Sequence, residues 1–482
     1  MKVDISCYPV LQEIGRCADE LGIEAYVVGG FVRDLLLGRP IKNDIDLVVV
    51  GDGVYFASAV ASRYGKRTVY TYPRFGTAAV SWDSLVLEFV GARRERYTLS
   101  ESRNPEISPG SLYDDLARRD FTVNAIAISL NKSSEGEIID PFGGIDDLNK
   151  GILRTPVDPE TTFNDDPLRQ LRAVRFATTL DFDIAPEAAE AIKRYGERLQ
   201  IISQERITAE IEKLLASARP SKGLFLLRDL GLLEWTLPEL VGLVDLPQAS
   251  RYHSEDGYTH TCYVVQGVAN KDNKNIWIRW AALLHDIGKP QVKEWRQDKG
   301  WVFVGHEMVG ADMVEKVYER MRLSKQHLEK VERLVRNHMT LLRIASDSYG
   351  QAALRRLIIN NGDILDPLYI LARSDLEGSF PPPDGVNKEK MIADLDRLYM
   401  KLVEMQSQEH LQRDYCPIGG REIMELFGIP PGKEVGRLKR LVVEAIIQGE
   451  IPNTREAAID LLLRIRSQDN NLSKAKNGSS QI

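Results

Sequence analysis

Between Val28 and Gly51 the chain reads Val-Gly-Gly-Phe-Val-Arg-Asp-Leu-Leu-Leu-Gly-Arg-Pro-Ile-Lys-Asn-Asp-Ile-Asp-Leu-Val-Val-Val-Gly. An apolar run, Ala25 to Val28, ends in the pair Gly29-Gly30. A helical pattern, Phe31 to Leu37, follows at once, and Gly38 stops it. A second apolar run, Ile45 to Val50, carries Asp44 and Asp46 at its head. Two residues apart in a strand, these carboxylates point to the same face. Paired glycines let backbone N–H groups approach phosphate oxygens, a helix N-terminus favours anions, and Arg33 lies one turn in. Either half alone also fits a tight turn or a solvated strand end. Together, in one strand–helix–strand unit, they suit a metal-bound triphosphate.

The chain is too long, at 482 residues, for a single core, and two to four domains are expected. With 43% hydrophobic and 28% charged residues, and no apolar run near the ~20 residues of a membrane span, it reads as an ordinary soluble protein. The N-terminus lacks the basic-then-apolar layout of a secretory signal. Cys7, Cys17, Cys262 and Cys416 show neither zinc spacing nor a disulfide framework, so a cytoplasmic location is expected. A net charge of −7 excludes coating of nucleic acid by bulk charge but not local phosphate contacts.

An amphipathic helix, Tyr8 to Leu21, precedes the first strand, and a helix from Val54 to Tyr64 follows the second. Strands are expected at Thr77–Val80 and Leu85–Val90. Glu88 sits in the middle of the latter, either facing water on an edge strand or completing a carboxylate cluster with Asp44 and Asp46. Arg93 to Ser111 is rich in breakers and reads as a mobile loop. In the string from Asp114 to Ala127, Arg118, Arg119 and Asp120 suit a triphosphate and a ribose, or form a surface ion-pair cluster.

A helix opens near Asp166-Pro167, with Asp166 as candidate N-cap and Pro167 in the first helical position. Arg169, Arg172 and Arg175 recur every three residues down one side, next to an apolar stripe of Leu168, Leu171 and Val174. Asp166 could accept a hydrogen bond from an exocyclic amine while Arg169 donates to the adjoining ring nitrogen. Cytosine and adenine offer that pattern, whereas uracil and guanine set like against like, a mismatch that is costly once buried.

The unit Val28–Gly51, the string Arg118-Arg119-Asp120-Phe121-Thr122-x-Asn124-Ala125 and the run Asp165-Asp166-x-x-Arg169 together resemble the class II CCA-adding enzymes and bacterial poly(A) polymerases. Asp165 stands where that family usually has Glu. The resemblance implies an α+β fold, with a mixed-sheet nucleotidyltransferase head followed by an all-helical neck, body and tail. It implies Asp44, Asp46 and Glu88 as catalytic residues with Mg2+ on the two aspartates. Gly29, Gly30, Arg33, Arg119, Asp120, Asp166, Arg169, Arg172 and Arg175 are then nucleotide-binding, and tRNA, CTP and ATP are the partners. A loop at 93–111 favours full CCA or A addition. An A-only enzyme, a poly(A) polymerase, or a phosphohydrolase with an RNA-binding N-terminal part are the alternatives. The segment Gln204 to Glu210 matches a family motif that braces the neck.

Six of the seven histidines fall between His253 and His338. His260, His285-Asp286, His306, His338 and a later Asp375 resemble the ligands of an HD-family metal-dependent phosphohydrolase. That likeness implies a second divalent metal and activity on 2′,3′-cyclic phosphates or 2′-nucleotides, or else a retained scaffold for RNA. Pro-rich 380–385 reads as a linker. The Pro430-to-Arg440 segment, with Arg437, Lys439 and Arg440, is either a tRNA grip or a plain helical cap. The expected domains are a head (1–150), neck (151–250), HD domain (251–380) and tRNA-binding tail (386–466), with a disordered end (467–482).

Overall fold

Pro9–Leu21 forms the first helix, α1, with Pro9 in its first turn and Gly22 closing it in the left-handed region at φ +67°. Val10, Leu11, Ile14, Cys17 and Ala18 make its buried face, as the amphipathic spacing requires. The chain then alternates short strands and helices: β1 (Ala25–Val28), α2 (Gly30–Leu36), β2 (Asp44–Val49), α3 (Gly53–Arg63), β3 (Val69–Tyr72), β4 (Thr77–Trp82) and β5 (Leu85–Gly91). Next come β6 (Arg93–Arg96), β7 (Glu106–Pro109), α4 (Leu112–Ala117), β8 (Ala127–Ser129), β9 (Ile138–Ile139) and α5 (Gly144–Lys150). Four helices follow: α6 (Pro159–Asp165), α7 (Leu168–Leu180), α8 (Pro186–Tyr195) and α9 (Gln204–Leu215).

This is a computed structural model, and it describes residues 1–41, 43–65, 68–72, 76–96, 106–247, 255–298, 300–346, 349–379, 387–411 and 416–478. It comprises two compact units, Met1–Val241 with Arg320–Leu323, and Gly242–Glu319 with Ser324–Ile482.

In the first unit a seven-stranded sheet runs in the order β3-β4-β5-β2-β1-β8-β9. Only β2 and β5 pair in parallel; the other neighbours are antiparallel. That parallel register sets Asp46 opposite Glu88 and Asp44 opposite Val86. β5 is therefore an interior strand, not an edge, with Leu87 and Phe89 buried on the face away from Glu88. Helix α3 packs beside it, where Phe56 meets Phe89 edge-on at 5.7 Å. The segment 93–111, read as a loop, pairs at its two ends as the ribbon β6–β7, and Ser111 forms a capping box with Asp114 at the start of α4. The middle of that segment, 97–105, lies outside the described residues.

The second unit is built mainly of helices. Asp256 caps the helix Gly257–Lys271 by accepting the Thr259 N–H at 2.8 Å. The helix Ile276–Leu284 is buried from Trp277 to Leu284, and the charged side chain within it, Arg279, donates to the Asp272 carbonyl at 3.2 Å. His306–Arg320, Leu328–Ser346 and Leu365–Gly378 follow, then Lys388–Gln408, Lys433–Gln448 and Arg455–Gly478. The last of these takes in part of the end expected to lack fixed structure. Ala458 and Leu462 are buried, and each residue added to an existing helix costs little. The linker at 380–385 lies outside the described residues. Among the described residues no helix is long and apolar enough to cross a membrane.

Helix α1 lies so close to the end of β8 that a Cβ on Gly15 would stand 2.0 Å from the Leu130 carbonyl oxygen. Gly15→Ala therefore forces backbone apart and is expected to destabilise the first unit by about 1–3 kcal/mol, read as a lower denaturation midpoint.

Candidate active site

The C-terminal side of β1 and the head of β2 meet at Gly29, which has φ +72°. A Cβ there would stand 2.7 Å from Asp46 Oδ2 and 3.1 Å from an Arg119 guanidinium nitrogen, so only glycine lets the turn lie against both groups. Gly30 opens α2 immediately behind it. Asp46 and Glu88 share the floor of a cleft of about 380 Å³, whose wall carries Arg118, Arg119, Asp120, Asp166, Arg169, Arg172 and Arg206. Burial raises the Asp46 pKa; Arg119 offsets part of this and Asp44 adds to it. Burial also raises the Glu88 pKa, with Asp46 and then Asp44 contributing. Carboxylate charge thus gathers at this strand face, and hard oxygen donors so placed fit a divalent cation.

Most of the guanidinium groups around the cleft are held by acids. Asp115, fully buried, pairs with Arg118 and lies 3.1 Å from Arg119. Asp120 Oδ2 accepts from Arg172 Nε at 2.8 Å, with Arg172 Nη2 at 2.6 Å. Its Oδ1 accepts from the Phe121 N–H at 2.9 Å and Asn124 Nδ2 at 3.0 Å. Burial opposes the Asp120 charge, but Arg172 and Asn124 hold its pKa down at about 2. Asp120, expected against a ribose, lines the cleft with both carboxylate oxygens hydrogen-bonded within the chain.

Asp166 does cap α7 in part: its Oδ1 accepts the Leu168 N–H at 3.2 Å, while Oδ2 lies 3.3 Å from Arg206. Pro167 precedes rather than begins the assigned helix, a difference of one residue. Arg169 donates to the Arg118 carbonyl at 2.5 Å. Asp166 and Arg169 both face the cleft.

Two of the arginines expected to bind the nucleotide do not line the cleft. Arg33 is 5% exposed, pairs with Asp34 at 2.8 Å and donates to Asn124 Oδ1 at 2.8 Å. Arg175 is ion-paired with Glu210 and lies 3.8 Å above the Phe176 ring. Their helical spacing was legible; Arg33 is held by its neighbour Asp34 and by the distant amide of Asn124, and Arg175 by the distant Glu210. Asp115, Asn124, Glu210 and Thr77 were not singled out in the sequence. Asp115 and Asn124 fall inside the Asp114–Ala127 string, and Glu210 inside the neck motif, the only signals that point to them.

In the second unit His260, His285 and Asp375 bring their ligand atoms within 4.8 Å of one another, and so do Asp286, His306 and His338. Asp286 stands between the sets: Oδ1 is 3.3 Å from His306 and 3.9 Å from His338, and Oδ2 is 3.2 Å from His285 and 3.8 Å from His260. His260 Nε2 is 3.0 Å from Asp375. The Nδ1 atoms of His285, His306 and His338 face the carbonyls of Ala282, Phe303 and Val335 at 2.8, 2.7 and 2.6 Å. A carbonyl only accepts, so each Nδ1 carries the proton and each Nε2 presents a lone pair inward. His306 Nε2 and His338 Nε2 then oppose each other at 3.2 Å. Two lone pairs at that distance call for a cation between them, and the buried imidazole–carboxylate set fits a divalent metal. Burial, then His285 and His306, push the His338 pKa down to about 3, which keeps it a neutral donor. His327 is elsewhere, stacked on Trp277, and His253 lies outside the described residues.

Residues 25–154 match the poly A polymerase head domain, 181–243 a probable RNA- and SrmB-binding site of polymerase A, and 257–376 the HD domain. A CC-adding tRNA nucleotidyltransferase of Thermus thermophilus is 33% identical over 454 residues, 91% of this chain and 93% of that protein. The chain belongs to the tRNA nucleotidyltransferase family. An A-adding tRNA nucleotidyltransferase of Deinococcus radiodurans is 33% identical over 72% of this chain and 78% of its own length. A multifunctional CCA protein of Nitrosococcus oceani is 36% identical over 66% and 74%. The Bacillus stearothermophilus CCA-adding enzyme, solved with CTP, superposes with a TM-score of 0.63 at 26% identity, covering 96% of this chain and 99% of that one.

Gly29→Ala pushes a methyl into Asp46 and strains a left-handed residue. Nucleotide transfer by this variant is expected to fall roughly 100-fold with the fold retained, measured as turnover alongside circular dichroism.

Proposed function

We propose that this tRNA nucleotidyltransferase adds CCA to tRNA 3′ ends without a nucleic-acid template, joining the tRNA 3′-hydroxyl to the α-phosphorus of CTP and then ATP and releasing pyrophosphate. The observation that carries this is one cleft joining the Asp46–Glu88 floor to the Asp166–Arg169 wall. Asp44 and Asp46 would hold Mg2+, with Glu88 as the third acid. Bound there, Mg2+ supplies Lewis-acid activation of the attacking hydroxyl and neutralises triphosphate charge. Arg119 faces the same cleft beside Gly29 and binds phosphate oxygens. Asp166 accepts from the exocyclic amine of cytosine or adenine, and Arg169 donates to the ring nitrogen beside it. Uracil and guanine would meet donor with donor and acceptor with acceptor. On this reading 1–150 is the catalytic head, 151–250 the neck, 251–380 the HD domain and 386–466 a tRNA-binding tail, in the cytoplasm.

The relative named as A-adding keeps an A-only reading in play. Purified protein offered tRNA lacking CCA and single labelled nucleotides is expected to incorporate CTP, and ATP only once CC is present. Asp44→Ala and Asp46→Ala are each expected to reduce both reactions at least a thousandfold, on the order of 4 kcal/mol of barrier. Use of ATP alone on tRNA ending in CC, with no CTP use, would sink the CCA reading.

For the second unit we propose a divalent metal held by His260, His285, Asp286, His306, His338 and Asp375, serving hydrolysis of 2′,3′-cyclic phosphates. The inward-facing imidazole lone pairs support it. Asp286→Ala is expected to strip the metal, read by elemental analysis of the dialysed protein. Chelator should lower the melting temperature of the wild type and leave that of the variant unchanged, because ligand bound only to the folded state stabilises it. CTP incorporation should persist in the variant.

A further inference from the structure

The sheet of the first unit keeps one face open between its carboxylates and its edge. On β4 and β5 the buried face carries Ala78, Val80, Leu87 and Phe89. The opposite face carries Thr77, Ala79 and Ser81 from β4, then Val86, Glu88 and Val90 from β5. The edge strand β3 adds Tyr70 and Tyr72 to that open face, because Tyr70 is the register partner of Ala79 and Tyr72 of Thr77. Ala79 in turn pairs with Glu88, and Glu88 with Asp46. One row across four strands thus runs Tyr70, Ala79, Glu88, Asp46.

The solvated face of an antiparallel sheet is normally polar. Here Glu88 is the only charged residue that β3, β4 and β5 give to it, while Tyr70, Tyr72 and Val86 are 56, 54 and 40% exposed. Between the tyrosines and Glu88 stand only the small side chains of Thr77 and Ala79, which makes the face a shallow trough with two rings along one bank. Thr77 and Val90 line the same cleft as Asp46 and Glu88. The arginine wall of that cleft lies on the other side of the carboxylates, where Arg119 meets Gly29 at the end of β1. The trough therefore leaves the carboxylates in the direction that the wall does not occupy.

We infer that Tyr70 and Tyr72 form a stacking platform for the unpaired 3′ end of the acceptor tRNA, upstream of the nucleotide whose hydroxyl reacts. The inference rests on the transferase reading above. A 3′-hydroxyl brought to Asp46 and Glu88 must trail its own strand away from them, and the trough is continuous with the cleft at that point. Three strand spacings, about 14 Å, separate β2 from β3. At about 3.4 Å per stacked nucleotide, that reach falls within roughly the last four nucleotides of a single strand. A tyrosine ring stacks on any base face, so the platform holds the end without reading its sequence.

The test uses the full-length protein with tRNA ending just before CCA and tRNA ending in CC. Tyr70→Ala and Tyr72→Ala are each expected to raise the KM for tRNA ending in CC about tenfold, with the KM for the nucleotide within about twofold of wild type. The tRNA ending before CCA has a shorter unpaired end and should lose less, about threefold. Tyr70→Phe and Tyr72→Phe keep the ring and should bring the tRNA KM back to within about twofold. Tyr70→Leu and Tyr72→Leu keep apolar bulk without a flat ring and should behave as the alanine variants do. A second arm places an abasic nucleotide at each of the last three positions of the tRNA ending in CC. At the stacked position wild type should lose about tenfold, and the alanine variant no more, as for two partners of one contact. An unchanged tRNA KM in the alanine variants would overturn the inference, and so would rescue by leucine as complete as that by phenylalanine. Losses that add at all three abasic positions would overturn it too. Dissociation constants for the same RNAs, from anisotropy of 5′-labelled tRNA, read the platform without turnover. Should wild type bind these tRNAs and incorporate neither nucleotide, the transferase reading alone would fail, and the binding ratios would still decide the platform.

Discussion

Two carboxylates set side by side by a pair of parallel strands impose the main constraint on the first unit. Asp46 and Glu88 are register partners in β2 and β5, and neighbouring strands run about 4.8 Å apart. At that spacing like charges repel strongly unless cations share the face. Burial raises the pKa of both groups, and neighbouring carboxylates add to it, Asp44 at Asp46 and both aspartates at Glu88. Gly29 belongs to the same constraint, because its missing side chain brings the Arg119 guanidinium and the Asp46 carboxylate to one spot. The cleft is therefore a place where positive charge is wanted, fixed in part as arginine and open in part to a metal-bound polyphosphate.

The arginines around it are arranged so that few of them move freely. Asp34, Asp115, Asp120 and Glu210 each hold a guanidinium, and all four acids are buried. Burying an ion is costly unless it is paired and hydrogen-bonded, so each acid is part of the condition for placing an arginine in the interior at all. Side chains held in this way need little reordering when a triphosphate arrives, which is where preorganised sites gain over flexible ones.

The chain's local patterns made β2 with its two acids, the glycine turn and the arginine stripe of α7 legible in the sequence, because each depends on neighbours within a few residues. Glu88 was open between two readings, since nothing local says whether β5 is an edge or an interior strand. Its pairing with β2 on one side and β4 on the other decides that. Arg33 and Arg175 show the same limit: helical spacing put them on a plausible face, but Asn124 and Glu210, distant in sequence, draw them inward. Asp120 shows it too: its motif marks it, while one of the donors that surround it, Arg172 on α7, is 52 residues away in the chain. The ribbon β6–β7 was hidden because its two strands flank a stretch of turn-forming residues.

The two acidic centres differ in the chemistry they can support, and the difference follows from donor type and burial. The head offers only carboxylate oxygens on a sheet face open to the cleft, a donor set suited to Mg2+, which keeps several waters and joins its carboxylates to substrate phosphates. The second unit offers imidazole nitrogens and carboxylates, all buried, with three of the rings locked in one tautomer by backbone carbonyls. Such a set binds borderline transition metals through nitrogen and restrains ligand exchange. The contrast is one of access: the carboxylates of the head face an open cleft, whereas the imidazoles and carboxylates of the second unit are enclosed, so a metal would exchange with solvent and substrate far more readily at the first than at the second.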